Sequence, residues 1–412
     1  MNSKNWVGGS LGVKLEYAAK CLPSYAWQRM TRRPAHGTVH LIIAIADHFE
    51  PSSVGDFKSG YAPRDVQEQR LERWCSEYPR NFSEYRDAEG QRLNHTYFYP
   101  AEQYDKALVQ QLADFCHSGW GEIEIHLHHG VTAPATPEET ERQLTSFRDA
   151  LAHDHGCLSC EEGDSQPKYA FVHGNFTLAN CANGFDCGID NEMQLLADTG
   201  CYVDMTYPTA VFHPAQVGVI NSIYECALPL NERAPHRLGQ RLKVGRPVTR
   251  FPFLVQGPWM MDFDRSARSG WGRVESAALT GPNPPSLRRL ALWKNARVTV
   301  RGRPDWLFIK LHTHGMAPAD IDTMLGAPVQ HFAKELVEGA ADRKEVIHFV
   351  SSREMANIVL AACDGREGNP GEYRDYRYKL RRAAASNSVS DADSLVLATP
   401  TPQKPTERPR FD

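Results

Sequence analysis

Strand-like and helix-like stretches alternate along most of this chain, and that alternation constrains the fold more than any single motif. Residues 39–46 form a near-continuous apolar run, interrupted only by His40, as in a strand covered on both faces. A charged amphipathic helix is expected over 65–85, then an aromatic strand at 96–99 stopped by Pro100. A helix over 104–117 and a strand over 121–127 follow. Thr136-Pro-Glu-Glu139 supplies a capping Thr, a Pro at the first helical position and a Glu three residues after the cap, opening a helix that runs to about 153. Strands at 168–172, 202–205, 248–255, 306–311 and 346–350 alternate with helices at 191–198, 285–296 and 318–338. Ser351-Ser-Arg-Glu354 caps a last helix.

Repeated units of this size predict an α/β protein with a parallel (β/α) barrel. Residues 1–36 read as an N-terminal helical extension and 37–383 as the barrel domain, with 206–247 an insertion lining its mouth. Residues 384–412, rich in Ser, Thr and Pro, read as a disordered tail. Tyr373 to Arg382 mixes Tyr with Arg and Lys, as a solvated helix end does.

A net charge of −4 over 412 residues gives no reason to expect nucleic acid as a partner. No segment approaches the ~20 apolar residues that cross a bilayer. The start, Met1-Asn-Ser-Lys-Asn-Trp, lacks the features of a signal peptide, so a cytoplasmic location is expected. The ten cysteines are then expected as thiols. Cys157-Leu-Ser-Cys160 has zinc-ribbon spacing, but Cys181 and Cys187, five residues apart, fit that pattern poorly.

The chemistry concentrates in Glu122-Ile-Glu-Ile-His126-Leu-His128-His129-Gly130. On an alternating strand Glu122, Glu124, His126 and His128 share one face, and Ile123, Ile125 and Leu127 the other. Other strand ends carry Asp47, His48 and Glu50, then His173 and Asn175, then His312 and His314. In a parallel barrel these ends open at one face. A carboxylate with two imidazoles makes a three-ligand site with an open position, suited to a divalent metal, zinc above others, in amide or ester hydrolysis. A separate His near the metal is the expected general acid. There is no Gly-rich phosphate loop and no Gly-x-Ser-x-Gly elbow.

In order and content these motifs resemble the polysaccharide deacetylases of the NodB-homology type (carbohydrate esterase family 4), in a divergent branch. The resemblance covers roughly residues 38–360 and rests on four features: the Asp after the first strand, Thr96-Tyr-Phe-Tyr-Pro100, Glu122-Ile-Glu-Ile-His126 and Phe308-Ile-Lys-Leu-His312. It implies a distorted or seven-stranded barrel, metal ligands Asp47 and His126, and His312 as general acid with His314 as understudy. The family's second histidine, four residues after the first, is Gly130 here; His129 or His128 must substitute, with His129 favoured because it lies on the loop. The family's general base is replaced by Ala46, leaving Glu50, His48 or Glu124 to supply it. The family's Arg-containing motif gives way to His173-Gly-Asn175. The family's polymer substrate is not carried over: a cytoplasmic location favours a nucleotide-linked, lipid-linked or small acylated sugar or glycoconjugate.

Two other readings compete. His126-Leu-His128 and His312-Thr-His314 are His-x-His pairs of the kind found in amidohydrolase and PHP-type phosphoesterase sites, and two metals per chain would favour that class. A sugar-binding relic without turnover would also tolerate Ala46. Asn175, Trp259 and Asp262 are the candidate substrate contacts, with Phe263, Trp271 and Asp264 nearby; rim packing explains the aromatics equally well.

Overall fold

The computed structural model describes residues 11–55, 60–131, 133–184, 186, 188–209, 213–263 and 273–381. The expected tail, Cys187, Asp264 and Trp271 lie outside the described residues. In chain order the elements are α1 (Leu11–Thr31), β1 (Val39–His48), α2 (Arg64–Phe82), β2 (His95–Pro100), α3 (Lys106–Phe115), β3 (Gly121–Leu127), α4 (Pro137–Asp149), β4 (Ser159–Glu161) and β5 (Tyr169–His173). There follow α5 (Glu192–Asp198), β6 (Cys201–Asp204), β7 (Ile223–Cys226), β8 (Gly239–Arg241), β9 (Phe253–Val255), β10 (Met260–Asp262), β11 (Arg273–Glu275) and β12 (Ala278–Leu279). The chain continues through α6 (Leu287–Ala296), β13 (Trp306–Thr313), α7 (Ile321–Leu325), α8 (Ala327–Glu338), β14 (Glu345–Phe349), α9 (Ser352–Cys363) and β15 (Tyr378–Leu380). The helix expected over 318–338 is two helices: Gly326 leaves the helical region and Pro328 opens α8 from its first turn, where a missing N–H costs nothing.

An eleven-stranded, mostly parallel sheet runs β12-β13-β1-β2-β3-β5-β6-β9-β7-β8, with β14 paired to β1 off this path. It does not close into the expected barrel, because β12 and β8 remain its two ends and β7 pairs antiparallel with both β8 and β9.

β1 is its central rail. One edge pairs with β13 from His40↔Trp306 to Asp47↔Thr313. The other edge is divided: Val39 to Ile43 pair with β14, and Ala46 to His48 with β2. The chain leaves β14 through that division. Val350 donates to the Ile43 carbonyl at 3.0 Å, Ser352 N to Thr96 Oγ1 at 2.7 Å, and Ser351 and Glu354 form a reciprocal capping box that starts α9.

The two sheet faces carry different layers. Leu41, Ile43 and Ile45 join residues of α2, α3, α4, α5 and α8 in one core. Ile42, Ala44, Ala46, Ala170, Val172 and Phe308 join α9 in the other. Small side chains at 44, 46 and 170 leave width for a helix, and α9, apolar nearly all round, is buried along its length. Ala46 therefore belongs to the packing beneath the site.

Among the described residues no helix is long and apolar enough to cross a membrane.

Candidate metal centre

The C-terminal ends of the neighbouring strands β13, β1, β3 and β5 bring the expected histidines together. The alternation on β3 holds: Ile123, Ile125 and Leu127 lie in the helix-side core, while His126 faces the other way. Immediately after β1, Phe49 donates its N–H to the Phe98 carbonyl (3.0 Å) and buries its ring in the helix-side core, leaving His48 and Glu50 to the opposite side.

Three buried groupings could hold an ion: Glu50 with His126 and His128, Glu50 with His48 and His314, and His129 with His173 and Glu192. Their hydrogen bonds separate them. His126 Nδ1 lies 2.9 Å from the Val172 carbonyl, an acceptor only, so Nδ1 carries the proton and Nε2 presents its lone pair. That lone pair faces Glu50 Oε1 at 3.0 Å. His128 Nδ1 is 2.7 Å from Glu102 Oε1, and its Nε2 is 3.4 Å from the same Glu50 oxygen. Acceptors directed at one another repel unless a cation or a further proton lies among them; Glu102 and Glu50 raise the His128 pKa against the effect of its burial. A tetrahedral zinc with bonds of ~2.0–2.1 Å sets its ligands about 3.3 Å apart, which matches this spacing.

Burial pushes the His126 pKa down against the pull of Glu50, so a second proton on that ring is disfavoured. Glu50 Oε2 has no hydrogen-bond partner and faces His314 Nδ1 at 3.8 Å. The His48 ring lies 4.6 Å from that of His314, tilted to it, and 4.7 Å from that of His126, edge-on, centroid to centroid, with a buried Nδ1 that has no partner among the described residues.

The third grouping can be satisfied by protons alone. His129 Nε2 lies 2.6 Å from Glu192 Oε1, and Glu192 Oε2 accepts from Ala179 N at 2.6 Å. His173 Nδ1 accepts from Asn175 N at 3.1 Å, which leaves the proton on Nε2, 3.6 Å from Glu192 Oε1. Glu192 thus sees two N–H donors. His129 Nδ1 is left with a buried, unpartnered lone pair. Burial and the neighbouring histidines hold His173 near 3, against the pull of Glu192. Gly174 lies against the His128 ring so closely that a Cβ there would collide with it.

Several expected site residues are placed elsewhere. Asp47 lies on the opposite face of β1 from His48, where its carboxylate accepts from His95 Nδ1 (2.8 Å) and Gly315 N (2.7 Å). It anchors the turn that follows His314. Glu124 accepts from Ala170 N (2.7 Å) and Tyr202 OH (2.9 Å), so both its oxygens are engaged within the fold, and burial raises its pKa well above the carboxylate range. Trp259 packs edge-on to Tyr25 beside Cys21 and Ile220, under α1. Asp262 pairs with Arg273 and Arg288, and Phe263 is exposed. Asn175 stays beside the histidines with a buried, unpartnered Nδ2.

His312 is buried with an unpartnered Nδ1, its ring 6.4 Å from that of His48. Burial, with Lys310 adjoining, holds its pKa well below the ordinary histidine value. The cysteines in the described residues are free thiols and none joins a metal-capable group. Glu102 and Glu192 were missed by sequence reasoning: one sits in a single turn after β2, the other at the start of α5, and neither belongs to a motif.

No protein-family model and no curated protein matches the chain. Its functional reading rests on the residues themselves.

Proposed function

We propose that the chain is a metal-dependent hydrolase that holds its cation with Glu50, His126 and His128 and removes an acyl group from a carbohydrate or glycoconjugate. The observation that carries the metal is the convergence of the His126 and His128 Nε2 atoms on one oxygen of Glu50, each ring oriented from behind by an acceptor. The substrate class is supported by the resemblance to NodB-type deacetylases. A divalent cation in this donor set, zinc above others, supplies a Lewis acid for a carbonyl oxygen and lowers the pKa of a coordinated water toward ~7.

The chain's own residues do the rest. Glu102 and the Val172 carbonyl fix the ligand rings. His129 accepts a proton at Nδ1, and Glu192 stabilises the imidazolium that forms, taking the role of the base that Ala46 cannot fill. The family resemblance implies His312 as proton donor to the leaving group, but its lowered pKa favours His314, which Glu50 raises against the effect of burial; Asn175 Nδ2 is a candidate donor to substrate oxygen. The test is acetate release from a panel of N- and O-acetylated sugars, with and without added zinc. Zinc-dependent release supports the reading; no release from any of them by metal-loaded protein contradicts it.

One observation favours a second reading. The two oxygens of Glu50 face different histidines, Oε1 toward His126 and His128 and Oε2 toward His314, as a carboxylate bridging two ions would. Two metals per chain, with activity on phosphoesters or cyclic amides, would place the protein with the amidohydrolase or PHP-type hydrolases instead.

A further inference from the structure

At the other end of β1 and β13 the chain forms a cavity of about 1100 Å³ with Val39 and Leu307 in its wall. Ten residues of strand separate this end from Glu50, a span of roughly 30 Å. Arg32 and Arg33 follow α1, Arg241 ends β8, Lys294 and Arg297 lie at the end of α6, and Arg301 precedes β13. Among the described residues no Asp or Glu lines the cavity.

Lys294 is neutralised by Glu345, but none of the five arginines has a carboxylate partner among the described residues. Arg32 NH1 donates to the Asn221, Ala296 and Arg297 carbonyls at 2.6, 3.2 and 3.0 Å, which ties it to the end of α6. Arg241 NH2 donates to Thr299, yet its buried Nε has no partner. The Arg33 and Arg301 side chains make no hydrogen bond among the described residues, and both are exposed. Burial, together with Arg241 and Arg297, brings Arg32 down to about 9, and burial together with Arg301 brings Arg241 down to about 10. Like charges gathered without a counter-charge cost stability, and a multiply charged anion would relieve that cost.

Guanidinium forks match phosphate oxygens two at a time, and five of them exceed what one carboxylate can neutralise. Trp27, 66% exposed on the rim, offers a flat face for a ring. We propose that this cavity binds a soluble ligand bearing a pyrophosphate group, of the size of a nucleoside diphosphate, at a site separate from the metal centre.

The test is calorimetric titration of the full chain with inorganic pyrophosphate and with ADP at physiological ionic strength, repeated on Arg33→Glu/Arg301→Glu. Both substituted side chains are exposed and outside the metal centre, and matching circular dichroism verifies that the variant folds. The expected result is saturable one-site binding that weakens at least about tenfold in the variant. No saturation up to about 10 mM of either probe, or equal affinity in the variant, overturns the proposal. Vesicles of phosphatidylcholine and phosphatidic acid supply the third arm. Binding to them that excess pyrophosphate fails to displace overturns the soluble ligand in favour of a lipid headgroup.

Discussion

The Glu50 and Glu192 groups are built from the same residue types, lie at the same strand ends and do opposite things. Around Glu50, His126 and His128 are each held by Nδ1 and turn Nε2 toward a shared carboxylate oxygen. Around Glu192, His129 and His173 turn N–H groups toward the carboxylate, because the Asn175 backbone N–H occupies His173 Nδ1 and the Ala179 N–H takes the second oxygen of Glu192. One group turns lone pairs toward a shared carboxylate oxygen, the arrangement our proposal fills with a cation; the other can be satisfied by ring protons, with a lone pair left on His129. Residue type alone does not make a metal site: the partner behind each imidazole decides which nitrogen faces forward.

The largest effects that sharpen this contrast are on turnover. Glu192→Gln and His312→Ala are each expected to lower turnover by roughly 10²–10⁴ while metal content stays that of the parent. Steady-state kinetics on a metal-loaded preparation checks both, and loss of metal from either variant would move that residue into the ligand set. Glu102→Gln removes the acceptor that orients His128 and is expected to weaken metal affinity by about 10–100-fold, read by competition with a chromophoric chelator. An unchanged affinity would show that Glu102 does not set the ring.

Asp47→Asn tests the departure from the expected ligand set. It is expected to cost about 1–3 kcal/mol of stability by denaturant titration, because Gly315 N and His95 lose a charged acceptor, yet to leave metal bound. The smallest effect is on acid stability. Burial holds His213 and His348 near 4 and His236 near 3 in the folded state, below the ordinary value of 6.5. The unfolded chain therefore binds more protons between about pH 6.5 and 3, and stability present above that window is lost as pH falls through it. A melting temperature lower at pH 5 than at pH 7.5 is expected, and an equal or higher one contradicts the burial of neutral histidines.

Much of this was legible in the sequence. The order of strands and helices, the two faces of β3 and the caps at Thr136 and Ser351 follow from period, burial pattern and capping chemistry, which are local. The phase of β1 was legible too. Ala44, Ala46 and His48 share a face by simple alternation, which sets Asp47 on the other, away from the histidines. What no local pattern carries is which distant acid meets which histidine. Glu192 reaches His129 from the start of α5 after a 63-residue separation, and only the packing of α5 against the sheet brings them together. The face that α9 takes is equally non-local, although Met355-Ala-Asn-Ile-Val-Leu-Ala-Ala-Cys363 lacks the polar stripe of a surface helix. Failure to close a barrel follows from that helix filling one face of the sheet and from the antiparallel β7 at its far side.

Elemental analysis of zinc-reconstituted protein tests the central contrast most directly, comparing the parent chain with Glu50→Gln and Glu192→Gln. The account predicts bound zinc in the parent and in Glu192→Gln and none in Glu50→Gln. Zinc retained by Glu50→Gln and lost from Glu192→Gln would reverse the roles of the two groups and contradict it.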